Sequence, residues 1–187
     1  MSTTANKVIN PMKVITGPDT RWSYANVWEP KSINGGTAKY SVSLIIPKSD
    51  TKTIAAINAA VDAAIKEGAA KFGGKIPNTA ALKLPLRDGD VEREDEAYRG
   101  AYFVNANSTT APQIVDRSVQ PILDRNEVYS GCYAHVSINF YAFNSNGNRG
   151  IACGLGNIQK VRDGEPLGGK SSAADDFATV TDDDFLA

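Results

Sequence analysis

One histidine, His135, and two cysteines, Cys132 and Cys153, are all that the 187 residues offer of those two types. A single imidazole leaves histidine-based acid–base catalysis little to work with. Cys132, His135 and Cys153 together fall short of the four ligands that a structural zinc takes. Two cysteines make no disulfide framework. Both sit in apolar, strand-like runs, which reads as buried thiols in a reducing compartment. No stretch approaches the roughly 18 apolar residues of a membrane span. The opening residues, MSTTANKVINPMKV, lack the apolar centre of a signal peptide, so export is not expected. A P-loop and a G-x-S-x-G elbow are also missing. These absences lead to an expectation of no catalytic residues, no metal and no cofactor.

What is present is charge, unevenly placed. Residues 171–187 hold five aspartates, Asp175, Asp176, Asp182, Asp183 and Asp184, and no Lys or Arg. The triple-Asp cluster runs into Phe185 and Leu186. Terminal acidic blocks of this kind are commonly disordered interaction tails. The acid-then-apolar order suits a peptide docking into a basic-rimmed pocket, and it would compete with nucleic acid for a basic groove. The whole chain has 20 Lys+Arg against 21 Asp+Glu. Residues 1–170 keep all 20 basic residues against 16 acidic ones, a balance of +4. A mildly basic body with an acidic tail points toward nucleic acid. The expected domains are therefore 1–170, a binding domain, and 171–187, a disordered acidic tail.

Apolar periodicity predicts a mainly β body. Residues 20–30 read as a strand with Trp22, Tyr24 and Trp28 on one face by parity. Residues 38–46 alternate, with Tyr40, Val42, Leu44 and Ile46 opposite Lys39, Ser41 and Ser43. A helix follows, capped by Ser49 or Asp50, with Ile54, Ile57, Val61, Ile65 and Phe72 on its apolar stripe. Gly68 is an early stop for it, and Gly73-Gly74 a firmer one. Residues 81–86 suit a short edge strand, and 98–107 and 132–143 suit longer ones. The run 150–161 pairs back through the turn at 144–148, and Gly154 and Gly156 mark a bulge or barrel corner. This order fits a small β-barrel of the OB type with one inserted helix. An open α+β sheet and a β-sandwich are the alternatives.

Three constellations bear on function. The outer face of 132–143 carries Tyr133, His135, Asn139, Tyr141 and Phe143, too polar for a core and too aromatic for an ordinary solvent face. Such rings can stack on unpaired bases. Trp22, Tyr24 and Trp28, with Arg21 and Lys31 nearby, suit a single-strand groove, or else build the core. Lys39 and Arg99, placed on strand faces, add positive charge of the kind that phosphate recognition needs along a track, and Phe103 completes the candidate DNA-binding set. The acidic run Asp88, Asp90, Glu92, Glu94, Asp95 and Glu96 is the basis of the alternative, a metal-dependent nuclease.

Several segments carry a resemblance. SYANVWEPK (23–31), KYSVSLIIPKSD (39–50), LPLRDGD (84–90), YSGCYAHVSINFYAFN (129–144) and GIACGLGNIQKVRDGEPLGG (150–169) resemble a phage family first catalogued as a domain of unknown function. That family is now regarded as OB-fold single-stranded DNA-binding proteins. The resemblance spans roughly residues 10–169 and then the tail. It implies a non-catalytic protein of phage DNA replication, recombination or repair, working in the cytoplasm of the infected bacterial host. It also implies that the tip, Asp182, Asp183, Asp184 and Phe185, recruits phage or host replication and recombination proteins, as the tails of other single-strand binders do. Here Leu186 and Ala187 follow Phe185. Self-association into a homodimer is left open. The alternative is a metal-dependent phage nuclease or resolvase using Asp88 and Asp90.

Overall fold

The computed structural model describes residues 10–32, 35–75, 78–145, 147–167 and 177–180. The expected tail tip, Asp182, Asp183, Asp184 and Phe185, lies outside the described residues, as does the 170/171 boundary.

Among the described residues, eight strands form one sheet: β1 (Lys13–Ile15), β2 (Arg21–Lys31), β3 (Lys39–Pro47), β4 (Arg87–Asp88), β5 (Ala101–Ser108), β6 (Ile114–Val115), β7 (Tyr133–Ser145) and β8 (Asn148–Arg162). Five of them close a ring in the order β2-β3-β5-β8-β7. Neighbours in that ring are antiparallel except β5 and β8, which run parallel. A closed five-strand ring with one helix set between strands is the OB-like barrel that the alternation predicts. Closure removes the free edges that an open sheet would expose.

The core fills the ring from alternate positions. Val42, Leu44 and Ile46 of β3, Val104 and Ala106 of β5, and Val136, Ile138 and Phe140 of β7 all point inward. The buried thiols of Cys132 and Cys153 join them, and burial raises both thiol pKa values. Helix α1 (Thr51–Glu67) covers one end of the barrel with Ile57, Val61 and Ile65, and Phe72 follows from the next turn. Asp50 caps it by accepting from the Thr53 N–H. The helix stops at Gly68, the earlier of the two candidate stops. A side chain there would meet the Ala142 Cβ at 2.2 Å, so the helix end and β7 can touch only through glycine.

Several expectations need correction. Residues 81–86 make no strand, only an isolated bridge at Lys83 to Gly150. Pairing begins instead at Arg87, against β5. The charged excursion contains a second, four-residue helix, α2 (Gly89–Glu92), capped by Asp88. Arg99 precedes β5 rather than projecting from it. The glycine-rich part of β8 does carry an irregularity: register against β7 shifts between Val136 and Ile138. Gly156 lies so close to Ser137 that a Cβ would meet its carbonyl oxygen at 2.7 Å.

Candidate nucleic-acid interface

The parity rule fails at one residue of β2. Tyr24 has a φ of 49°, in the left-handed region that a bulky side chain seldom occupies. Register against β3 jumps between Ser23 and Asn26. This bulge separates the three aromatics that alternation would place together. Trp22 is 0% exposed in the barrel core. Trp28 is half-buried against that core, and its indole N–H donates to the Val128 carbonyl at 3.1 Å. Tyr24 alone turns outward, 60% exposed. Trp22 therefore has no ring face to offer a base, and its place in the candidate set is withdrawn.

Around Tyr24 lies a groove of about 420 Å³ over the outer face of β2, β3 and β5. Its floor is polar: Asn26, Ser41, Ser43, Asn105 and Asn107. Lys31 lines one end, directly opposite Lys39 in the strand pairing. Opposed residues of an antiparallel pair share a face, so two like charges stand together there, an arrangement that disfavours the fold and favours an anion. The other wall is Arg93, from the charged excursion. Its guanidinium lies 5.3 Å from the Tyr24 ring centroid and 4.5 Å from that of Tyr98. It donates to the Tyr24 hydroxyl at 2.9 Å. Asp95 pairs with it and raises its pKa further, so the group is a permanent cation.

The excursion is fastened to the barrel by a small second core. Tyr98 is buried, packs edge-on against Phe103 at 5.2 Å, and bonds to the Ser43 hydroxyl at 2.9 Å. Phe103 is thereby 1% exposed, roofed by Tyr98 and by Arg87 5.2 Å above its ring. It lies on the same outer face of β5 as Asn105 and Asn107, beside the groove, and buried there it has no ring face free to stack on a base. Lys48 ties down the start of the excursion by bridging Asp88 at 2.9 Å and Asp90 at 2.8 Å. The Lys48 ammonium, then the Gly100 N–H, hold the Asp90 carboxyl below its ordinary range.

The second predicted platform, on β7, is dispersed. In the ring, β7 neighbours β2 and β8, so its outer face lies across the barrel from β3 and β5. Tyr133 is clasped by two arginines, Arg162 at 3.9 Å and Arg21 at 5.7 Å from its ring centroid. Arg21 also donates to the carbonyls of Gly131 and Glu165. The His135 ring bonds through Nδ1 to the Thr16 carbonyl at 2.7 Å. Strand β1, paired along Ser137–Asn139, crosses this part of β7. Tyr141, 41% exposed, borders a hollow beside the end of α1, and Phe143 is half-buried. Local alternation gave the right residues an outward direction. It carried no information about which outward face other segments would cover.

Of the candidate set, then, Tyr24 and Lys31 line one groove, and Lys39 stands paired opposite Lys31 at its end. Arg93, Asn26, Asn105 and Asn107 join them unannounced. The signal for the asparagines is present in FVNANS, where two amides alternate with apolar residues on a strand that bears no exposed ring beside them. Arg93 was masked by its acidic neighbours. The chain beyond β8 returns to this place: the Leu167 N–H donates to the Ser130 carbonyl at 2.8 Å, and Leu167 packs beside Tyr98. Ser23, Tyr24 and Leu167 line a hollow at the groove's mouth.

Residues 12–186 match the family model described as Enterobacter phage Enc34, ssDNA-binding protein. Protein p50 of Acyrthosiphon pisum secondary endosymbiont phage 1 is 31% identical over 182 residues, covering 90% of this chain and 96% of that protein. The single-stranded DNA-binding protein of bacteriophage Enc34, solved in complex with ssDNA, superposes with a TM-score of 0.69 at 24% identity, over 84% of this chain and 90% of that one. The bacteriophage T7 single-stranded DNA-binding protein gp2.5 shares the fold with a TM-score of 0.55 at 15% identity, over 86% and 97% of the two chains.

Proposed function

The chain belongs to the Enc34 phage ssDNA-binding family, and we propose that it binds single-stranded DNA, without catalysis, along the groove over β2, β3 and β5. The observation that carries this reading is the coincidence, in one groove, of an exposed strained tyrosine, a permanent cation beside it and an opposed lysine pair. Backbone strain in a non-glycine residue persists where the surroundings enforce it, and such residues gather at binding sites. Tyr24 offers a ring for one base, while Lys31, Lys39 and Arg93 offer charge for phosphates. The protein's setting in this reading is phage DNA replication, recombination or repair in the bacterial cytoplasm.

The tail completes the proposal. Asp182, Asp183, Asp184 and Phe185 recruit a replication or recombination partner, and the same acids compete with DNA for the groove. Leu167 supports this, because it starts the remaining chain at the groove's mouth. A short tether gives an effective concentration of order millimolar. Deleting residues 171–187 is then expected to raise DNA affinity, more at low salt than at high salt.

The nuclease alternative draws no support from the acidic run, where Asp88 and Asp90 are occupied by Lys48. Titration of labelled oligonucleotides in EDTA and in Mg²⁺ separates the two readings. Tight binding in both, with the oligonucleotide intact, is expected. Cleavage in Mg²⁺, or equal preference for a duplex, overturns the proposal.

A further inference from the structure

The groove floor is unusual for a surface that meets a polyanion, because it holds amides and hydroxyls in place of cations. Asn26 and Asn107 both pair with Ser41, and Asn105 pairs with Ser43, so these side chains form a cross-strand array over three strands. Asn26 is partly committed, donating to the Tyr24 carbonyl at 3.2 Å and the Ser41 hydroxyl at 3.4 Å. Asn105 is exposed and Asn107 half-exposed, and neither amide has a partner among the described residues. The charges stand at the rim instead: Lys31 with Lys39 at one end, Arg93 along one wall.

We infer that the Asn105 and Asn107 amides read the Watson–Crick edges of unpaired bases, so that selection of single over double strands resides in the floor and affinity for phosphate in the rim. This rests on the groove being the DNA site. A side-chain amide carries a donor and an acceptor side by side, and a half-turn exchanges them. It can therefore match the edge of any base, which gives recognition without sequence preference. In a duplex those edges are already paired, and they have nothing left to offer the floor. RNA-binding modules recognise splayed, unpaired bases by hydrogen bonds to these edges. Spacing agrees: alternate residues of a strand repeat at about 6.6 Å, twice the roughly 3.4 Å rise per nucleotide of a stacked duplex strand. The floor thus fits a strand pulled out of its stack.

The test compares wild type with Asn105→Ala, Asn107→Ala and the double variant. Each is titrated with a normal oligonucleotide, with one of equal length carrying an abasic tract, and with a duplex. On the normal strand each substitution is expected to weaken binding roughly 2- to 10-fold, the range of one hydrogen bond. On the abasic tract and the duplex the same substitutions should change binding less than 2-fold, and the salt slope should stay that of wild type. Asn105→Leu, close in shape but without the amide, should behave as Asn105→Ala does. Melting curves guard against misfolding, which surface positions are not expected to cause. An equal loss on normal and abasic strands would assign the amides to the sugar–phosphate chain and overturn the inference, as would no loss on the normal strand. If Lys31→Gln and Tyr24→Ala also leave normal-strand binding unchanged, the groove itself is misassigned and the functional reading falls with it.

Discussion

Arg93 covers Tyr24: the guanidinium lies 5.3 Å from the ring centroid and donates to the hydroxyl at 2.9 Å. One side of the ring is thus braced by a cation while the residue remains 60% exposed. In the proposed binding mode, a ring held in place in this way would lose less conformational freedom on stacking.

Stability and affinity should part company at Tyr24. In Tyr24→Gly the left-handed backbone is relieved, because glycine adopts it freely. The variant is expected to melt no lower than wild type. Its affinity for single-stranded DNA should fall by about 1–3 kcal/mol, the worth of one stacked base. Calorimetric melting beside oligonucleotide titration checks this; a large fall in Tm would make the ring structural.

Trp22→Ala should do the reverse. Its indole fills the barrel core, so truncation leaves a cavity and should cost about 3–5 kcal/mol of folding stability. Any residual folded protein should bind DNA with near wild-type affinity. Denaturant unfolding measures the first quantity, and titration well below the unfolding midpoint measures the second.

The opposed lysines set a trade between folding and binding. Lys39→Gln removes like-charge repulsion with Lys31, so the free protein should melt slightly higher. The same change should flatten the plot of log K against log salt by about 0.7, the share of one phosphate on a single strand. An unchanged slope would place Lys39 outside the DNA path.

Acid should loosen the excursion that carries Arg93. The Lys48 ammonium, with the Gly100 N–H, keeps the Asp90 carboxyl below its usual value of 3.8. A carboxyl depressed on folding contributes stability that is fully present above the unfolded value and is lost as pH falls through the folded one. Asp90→Asn should therefore melt below wild type at neutral pH, and the two should converge as pH drops below about 3.8. Parallel melting curves across the pH series would disprove the linkage.

The barrel was largely legible because burial writes itself as alternation. Val42, Leu44 and Ile46, or Val136, Ile138 and Phe140, announce an inward face with no knowledge of partners. The site was legible only in part, for three physical reasons. The bulge at Tyr24 breaks parity through a backbone angle that no side-chain pattern encodes. The covering of Tyr133 and His135 depends on Arg162 and Thr16, remote in sequence. The short strands β1 and β6 draw their stability from pairing with β7 and β8 rather than from any periodicity of their own.

The position of Leu167 has a practical side. It lines a hollow with Tyr24 and Ser130, at the edge of the proposed binding groove. Asn10, by contrast, shares with Tyr141 the hollow beside the end of α1. The two ends of the described body are therefore not equivalent attachment points. A fluorophore joined just after Leu167 becomes a proximity reporter of groove occupancy, and an affinity handle placed there becomes an interfering ligand. The same handle ahead of Asn10 should leave the groove untouched, which makes that end the one for immobilising the protein on a surface.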